Sequence, residues 1–157
     1  MSQGLDPQLQ LDHQLCFKLY AASRAIIRGY RPMLDALGLT YPQYLAMLVL
    51  WEWQQQPPAQ ATVKALGERL MLDSGTLTPL LKRLQQQGLL LRQRSQVDER
   101  EVCLQLTPAG VQLRERVLPL RQQLIEGAGL DGEEPSALRE QLDQLLGQFL
   151  RLTPGCR

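Results

Sequence analysis

Aromatic side chains make up only 5% of this 157-residue chain, as two Trp, two Phe and four Tyr. Leucine must therefore fill most of the interior, and the length supports one domain with a modest core. Histidine occurs once, at His13, beside an acidic residue, which reads as a surface position and not as a base or ligand. Cysteine occurs three times, at Cys16, Cys103 and Cys156, an odd number without zinc-like spacing. That excludes the disulfide framework of a small secreted protein. No basic-then-apolar leader opens the chain, and no apolar run is long enough to span a bilayer. The expectations are a cytoplasmic protein with no membrane association, no metal and no cofactor. In that reducing compartment a cysteine is either inert or redox-active.

The formal net charge is only +1, which argues weakly against a nucleic-acid partner until its distribution is considered. Lys82, Arg83, Arg92, Arg94 and Arg100 crowd one stretch against Asp98 and Glu99. Glu126, Asp131, Glu133, Glu134, Glu140 and Asp143 then outweigh Arg139 and Arg151. A basic centre followed by an acidic tail fits a local DNA surface.

Residues 1–11 carry no firm pattern. Asp12 is the expected N-cap of a helix running to about Leu37, and two adjacent apolar stripes predict that it is buried on several sides. Pro32 should kink or break that helix, and Gly38 should end it. "TYPQ" at 40–43 matches a capping box, and "YLAMLVLWEW" behind it predicts a central helix to about Gln55. "QQQPPAQA" is a linker. Thr62 caps a short helix, "DSG" turns the chain, and "TLTPLLKRLQQQG" forms a second helix ended by Gly88, the pattern of a helix-turn-helix. From there the apolar period becomes two: "LLLRQR" and "EVCLQLT" flank the polar loop "SQVDER" as a hairpin. "TPAG" at 107–110 starts a helix to about Glu126, and Pro135 starts a last amphipathic helix through Leu150.

A helix-turn-helix followed by a two-stranded hairpin is a winged helix. The fold class expected is therefore mainly α, a winged helix-turn-helix with a two-stranded β-wing and with N- and C-terminal helices forming a dimerisation region. Residues 1–157 make one domain, with 40–107 as the DNA-binding region between dimerisation helices 12–38 and 108–151. The wide apolar faces of the first and last helices exceed what one small winged helix can cover, which points to a homodimer. The second helix of the pair would present Ser74, Thr76, Thr78 and Pro79 to the bases of double-stranded DNA, with Lys82 and Arg83 on phosphates. Arg94 and Arg100 at the hairpin tip would reach the minor groove. Each feature alone has a plainer explanation, as a cap or a solvated hairpin; their order and lengths together point to DNA.

"LDSGTLTPLLKRLQQQGLLLRQRSQVDEREVCLQLTPAG" resembles the DNA-binding half of the MarR family of bacterial winged-helix regulators. "DER" before an alternating strand and "LTPAG" carries most of that likeness. "LCFKLYAASRAIIRGYRPMLDALGLTYPQYLAMLVLWE" resembles the organic-hydroperoxide-sensing branch of the family, the OhrR proteins. The resemblance spans roughly residues 12–150. It implies a homodimer with interlocked terminal helices, a pseudo-palindromic operator and repression of a peroxide-detoxifying gene. It also implies a structural ion pair for Asp98 and a minor-groove contact for the wing arginine.

Cys16 lies close behind the expected helix start, where the partial positive charge of the N-terminus favours an anion. A thiolate attacks the O–O bond of a peroxide and becomes sulfenic acid. Tyr20, Tyr30 and Tyr41 are the hydroxyl donors at hand. The resemblance, through "GYRP" and "LTYPQY", implies that Tyr30 and Tyr41 of a partner subunit bond the reactive sulfur. The residues alone leave open that each tyrosine is an ordinary amphipathic core residue. An apolar pocket lined by some of Phe17, Tyr20, Met47 and Trp51 would admit an organic hydroperoxide. Residues 108–130 contain no cysteine, unlike two-cysteine members of the family. Resolution then falls to a low-molecular-weight thiol, to Cys156 of the flexible tail, or stops at sulfenic acid, while Cys103 on the wing is a tolerated half-exposed residue. Two other functions compete: a repressor released by a non-covalent phenolic or drug-like ligand, with Cys16 incidental, and a thiol peroxidase. The lone nucleophile and the complete DNA-reading module argue against an enzyme.

Overall fold

The computed structural model describes residues 6–96, 98–129 and 136–152. Two 3-10 turns, Pro7–Leu9 and Leu11–His13, lead into α1, Leu15–Leu37. Then come α2 (Tyr41–Gln55), α3 (Val63–Leu70), α4 (Ser74–Gln86), strands β1 (Leu90–Arg94) and β2 (Val102–Leu106), α5 (Pro108–Gly127) and α6 (Ser136–Leu152).

The start of α1 differs from expectation. Asp12 lies in a 3-10 turn, and the N-cap is Gln14, whose side chain makes no cap bond. The Gln14 carboxamide instead donates backward to the carbonyls of Gln8 and Gln10, tying the leading arm to the helix. Asp12 pairs across the surface with Lys18 at 3.5 Å. Nor does Pro32 end the helix, which continues to Leu37. The ring removes one backbone donor, but the following turns are held by burial of Met33, Leu34 and Leu37 and by Arg116 of α5, which donates to Ala36 O at 2.9 Å. Only this C-terminal end of α1 is buried; Leu15, Tyr20, Ile26 and Ile27 are exposed because none of the described elements covers them.

Gly38, at φ 67°, supplies the left-handed residue that stops α1, and Leu39 N–H returns to Leu34 O at 3.0 Å. The capping box of α2 is reciprocal: Gln43 Oε1 accepts from Thr40 N–H at 2.8 Å, and Thr40 Oγ1 accepts from Gln43 N–H at 3.4 Å. Behind it Tyr44, Ala46, Met47, Val49, Leu50 and Trp51 are buried, so α2 is the central helix. Leu66 of α3, Leu77, Leu81 and Leu84 of α4, Leu90 and Leu104 of the strands, and Leu113 and Val117 of α5 close the core around it. The strands pair antiparallel, Leu90 with Leu106 through Arg94 with Val102. Ala61 O also accepts from Leu104 N–H at 2.8 Å, which fastens the linker to the sheet. α6 buries none of its residues, and Leu138, Leu142, Leu146, Phe149 and Leu150 are exposed along it. The outcome is a mainly helical winged helix-turn-helix.

Candidate functional site

The reading helix is set by its turn. Gly67 of α3 sits so close to the next segment that an added Cβ would meet Leu72 O at 3.0 Å and Leu77 Cδ2 at 3.3 Å. Met71 adopts a left-handed conformation at φ 54°, and Leu72 N–H closes onto Gly67 O at 2.9 Å. The N-cap of α4 is Asp73, and Ser74 is the first helical residue. Asp73 Oδ1 accepts from Thr76 N–H and Oδ2 from the Thr76 hydroxyl, both at 2.9 Å. These two bonds, the backbone one foremost, hold the Asp73 carboxyl below its ordinary range. Leu77, Leu80, Leu81 and Leu84 point inward, which leaves Ser74, Thr76, Thr78, Pro79, Lys82 and Arg83 exposed together. Thr76 is a partial exception to its expected role, since its hydroxyl proton is held by the cap and not presented to a phosphate.

The wing is bonded to that helix by Arg92, whose Nε donates to Gln85 Oε1 at 2.6 Å. Arg94 at the end of β1 and Arg100 in the tip are exposed. Asp98, for which the family resemblance implies an ion pair, has backbone partners at the tip. Its Oδ1 accepts from Arg100 N–H at 3.0 Å, its own N–H donates to Ser95 Oγ at 3.3 Å, and it joins no ion pair among the described residues. The carboxylate shapes the tip through the backbone.

Cys16 is exposed, is a free thiol and is the second residue of α1, closer to the helix start than Asp12 as a cap implied. Lys18 is drawn to Asp12 and lies 5.9 Å from the Phe17 ring centroid. Tyr20, one turn on, accepts from Arg24 Nη1 at 2.9 Å. Tyr30 and Tyr41 are brought together edge to face, their centroids 5.3 Å apart. Fourteen residues of continuous helix separate Cys16 from Tyr30, about 21 Å along the axis. One chain therefore joins the two tyrosines and keeps the sulfur away from them.

The four residues expected to line a peroxide pocket do not meet within the chain. Tyr20 is 58% exposed and Phe17 half-buried on the uncovered part of α1. Met47 is fully buried and Trp51 is 5% exposed, both in the core. The indole N–H of Trp51 is held by Gly110 O at 2.8 Å. Trp51 thus faces α5 across the core.

Cys103 is a half-buried thiol on β2 across from Gln93. His13 is exposed, its ring Nδ1 3.1 Å from Pro7 O. Cys156 lies outside the described residues. Sequence reasoning overlooked Tyr44. This residue is 2% exposed, and its ring lies 5.8 Å from that of Tyr30 and 6.3 Å from that of Tyr41. Its hydroxyl accepts a hydrogen bond from Arg121 of α5. Burial foremost, with the neighbouring Tyr30 next, pushes its pKa up to about 12 against the lowering effect of Arg121. The spacing of "YPQY" put Tyr44 one turn from Tyr41; nothing local marked Arg121 as its partner.

Comparison with known proteins places this geometry. The family of transcriptional regulators SarA/Rot matches residues 28–117. The organic hydroperoxide resistance transcriptional regulator of Bacillus subtilis (strain 168) is 47% identical over 138 residues, which is 88% of this chain and 90% of that one. The crystal structure of AbfR of Staphylococcus epidermidis is 37% identical with a TM-score of 0.74, covering 92% of this chain and 96% of that one. Reduced AbfR bound to DNA superposes with a TM-score of 0.73, at 37% identity over 92% of this chain and 99% of that one. The chain belongs to the SarA/Rot and MarR-like family of winged-helix transcriptional regulators, on the branch of the organic hydroperoxide resistance regulators.

Proposed function

We propose that this transcriptional regulator is a repressor that binds double-stranded operator DNA as a homodimer in the bacterial cytoplasm, and that oxidation of Cys16 by an organic hydroperoxide releases it. The observation that carries this reading is the position of Cys16, exposed in the first turn of α1 and about 21 Å from Tyr30 of its own chain. The Tyr30 and Tyr41 hydroxyls would reach that sulfur from a second copy. The apolar residues left uncovered on α1 and α6 are the surface on which that copy would sit. The relative in Bacillus subtilis is named for organic hydroperoxide resistance, and AbfR is known both reduced on DNA and in a disulfide form, which supports a thiol-based response.

The chemistry follows from the thiolate. Its sulfur attacks the terminal oxygen of ROOH, the O–O bond breaks, and alkoxide leaves and takes up a proton to become ROH. Sulfur is oxidised by two electrons to sulfenic acid, and the peroxide is reduced by two. A low-molecular-weight thiol then condenses with the sulfenic acid to a mixed disulfide, with loss of water. Phe17 and Tyr20 flank the sulfur on the uncovered face of α1, while Ser74, Thr78, Pro79, Lys82, Arg83, Arg94 and Arg100 form the DNA surface. Each Cys16 reacts once per release event, so the protein signals and does not turn over.

The test is operator affinity by fluorescence anisotropy, on DNA from the region upstream of the chain's own gene. Wild type and Cys16→Ser are compared with and without stoichiometric cumene hydroperoxide at one fixed salt. Release of wild type alone is the expected result. If both proteins respond, or neither does, the thiol is packing and a non-covalent phenolic or drug-like effector replaces the peroxide.

A further inference from the structure

Tyr44 connects the tyrosine pair to a helix that ends at the wing. Its ring packs against both Tyr30 and Tyr41, and its hydroxyl is held by the Arg121 guanidinium. A buried phenol with a charged donor has little freedom to move alone. From Arg121, α5 runs back as one helix to Pro108, about 20 Å by the helical rise. Only Thr107 separates Pro108 from the end of β2. That joint is closed on all sides. Thr107 N–H donates to Leu89 O at 3.1 Å, its hydroxyl donates to Gly88 O at 2.5 Å, and Gly110 N–H donates to Thr107 Oγ1 at 3.0 Å.

We propose that Tyr44 and Arg121 are positioning residues that couple the Tyr30–Tyr41 pair to α5, and through α5 to the wing, so that oxidation at Cys16 is converted into loss of DNA. This rests on the reading of Cys16 as the sensor. The added oxygen on sulfur pushes on the hydroxyls of Tyr30 and Tyr41. Their rings cannot shift without Tyr44, and Tyr44 cannot shift without Arg121. α5 then moves as a rod with the wing attached to its far end. Neither residue touches the peroxide or the DNA, so removing the link should leave oxidation intact and block its consequence.

The experiment uses the full chain as wild type, Tyr44→Phe, Arg121→Met, the double variant and Arg121→Lys. Cys16 sulfenic acid is followed by mass shift with dimedone after one equivalent of cumene hydroperoxide, and operator affinity is read in parallel by anisotropy. Wild type is expected to lose affinity about 10-fold or more, within the usual range of coupling between sites. Tyr44→Phe and Arg121→Met should form sulfenic acid at roughly the wild-type rate yet lose affinity no more than about 3-fold, with the double variant no different from either alone. Arg121→Lys keeps a donor and should restore release, which a general loss of packing would not allow. The proposal is overturned if the variants release as wild type does, if their weaker release only follows slower oxidation, or if the single effects add in the double variant. Failure of wild type itself to respond would bring down the sensor reading, and the coupling with it.

Discussion

Trp51 of α2 donates its indole N–H to the carbonyl oxygen of Gly110 on α5 at 2.8 Å, and Gly110 in turn lies against the backbone of Leu89. A Cβ built at Gly110 would fall 2.0 Å from Leu89 O, an approach that only glycine permits. Gly110→Ala should therefore cost on the order of 1–3 kcal/mol through forced separation of α5 from the end of α4. Trp51→Phe should cost on the order of 1–3 kcal/mol by leaving a buried carbonyl without its donor. Urea unfolding of both variants checks this, and an unchanged midpoint for Gly110→Ala would refute the close contact.

Tyr44 gives the protein an alkaline weakness. Its pKa is raised from an ordinary 10.0 to about 12, chiefly by burial. Between those values the unfolded chain gives up a proton that the folded chain keeps, so stability present below about pH 10 is lost as pH rises toward 12. Wild type should lose more of its urea midpoint between about pH 9 and 11 than Tyr44→Phe does. Parallel losses would mean that the phenol ionises freely.

At the acid end the sign reverses. The Thr76 backbone N–H, with the Thr76 hydroxyl next, holds Asp73 ionised below its ordinary value of 3.8. Its contribution is in place above that value and is lost as pH falls through the lower, folded one. Asp73→Ala should weaken operator binding more than Asp73→Asn, because Asn still offers an oxygen to the start of α4. Equal affinities for the two variants would remove the cap from any part in binding.

The exposed cations should divide by salt dependence. Lys82→Ala, on the outer face of α4, is expected to lower the slope of log affinity against log salt by about 0.9, the value of one phosphate contact, with little change in sequence preference. Arg94→Ala and Arg100→Ala should weaken binding most on sites with a narrow A·T minor groove. Anisotropy titrations over a salt series measure both. A flat slope for Lys82→Ala places its ammonium away from the backbone.

A sulfur served by another subunit's tyrosines can be tested by mixing. Heterodimers of Cys16→Ser chains with Tyr30→Phe/Tyr41→Phe chains hold one site with the thiol on one chain and both tyrosines on the other. Such heterodimers keep one Cys16 thiol per dimer, half the wild-type number, and all of it should oxidise at the wild-type rate, whereas Tyr30→Phe/Tyr41→Phe homodimers react slowly. Equally slow mixtures would place the donors on the same chain as the sulfur.

Local chemistry explains which parts were legible in the sequence. The Thr40–Gln43 box, the caps at Thr62 and Thr107, the stop at Gly38 and the alternation through Val102, Leu104 and Leu106 all depend on residues a few positions apart. The outward face of α4 followed from the spacing of its leucines. Two adjacent cap-competent residues, Asp73 and Ser74, shifted one helix start, and the backward reach of Gln14 shifted another. Periodicity marked Met47 and Trp51 as buried but could not say what covers them. Tyr44 escaped notice because its partner, Arg121, is remote in sequence and meets it only after α5 has packed.

The bonded joint at Thr107 also decides where this chain accepts foreign sequence. Extra residues there would part β2 from α5 and strand the partners of Gly88, Leu89 and Gly110. The stretch from Gln54 to Gln60 offers the opposite case: Gln54, Gln56, Pro57, Ala59 and Gln60 are exposed, and the backbone pairing with the sheet begins only at Ala61. A fluorescent domain grafted beside Ala59 would ride on the outside of the molecule with the rod and wing intact, making that loop the natural entry point for a genetically encoded indicator.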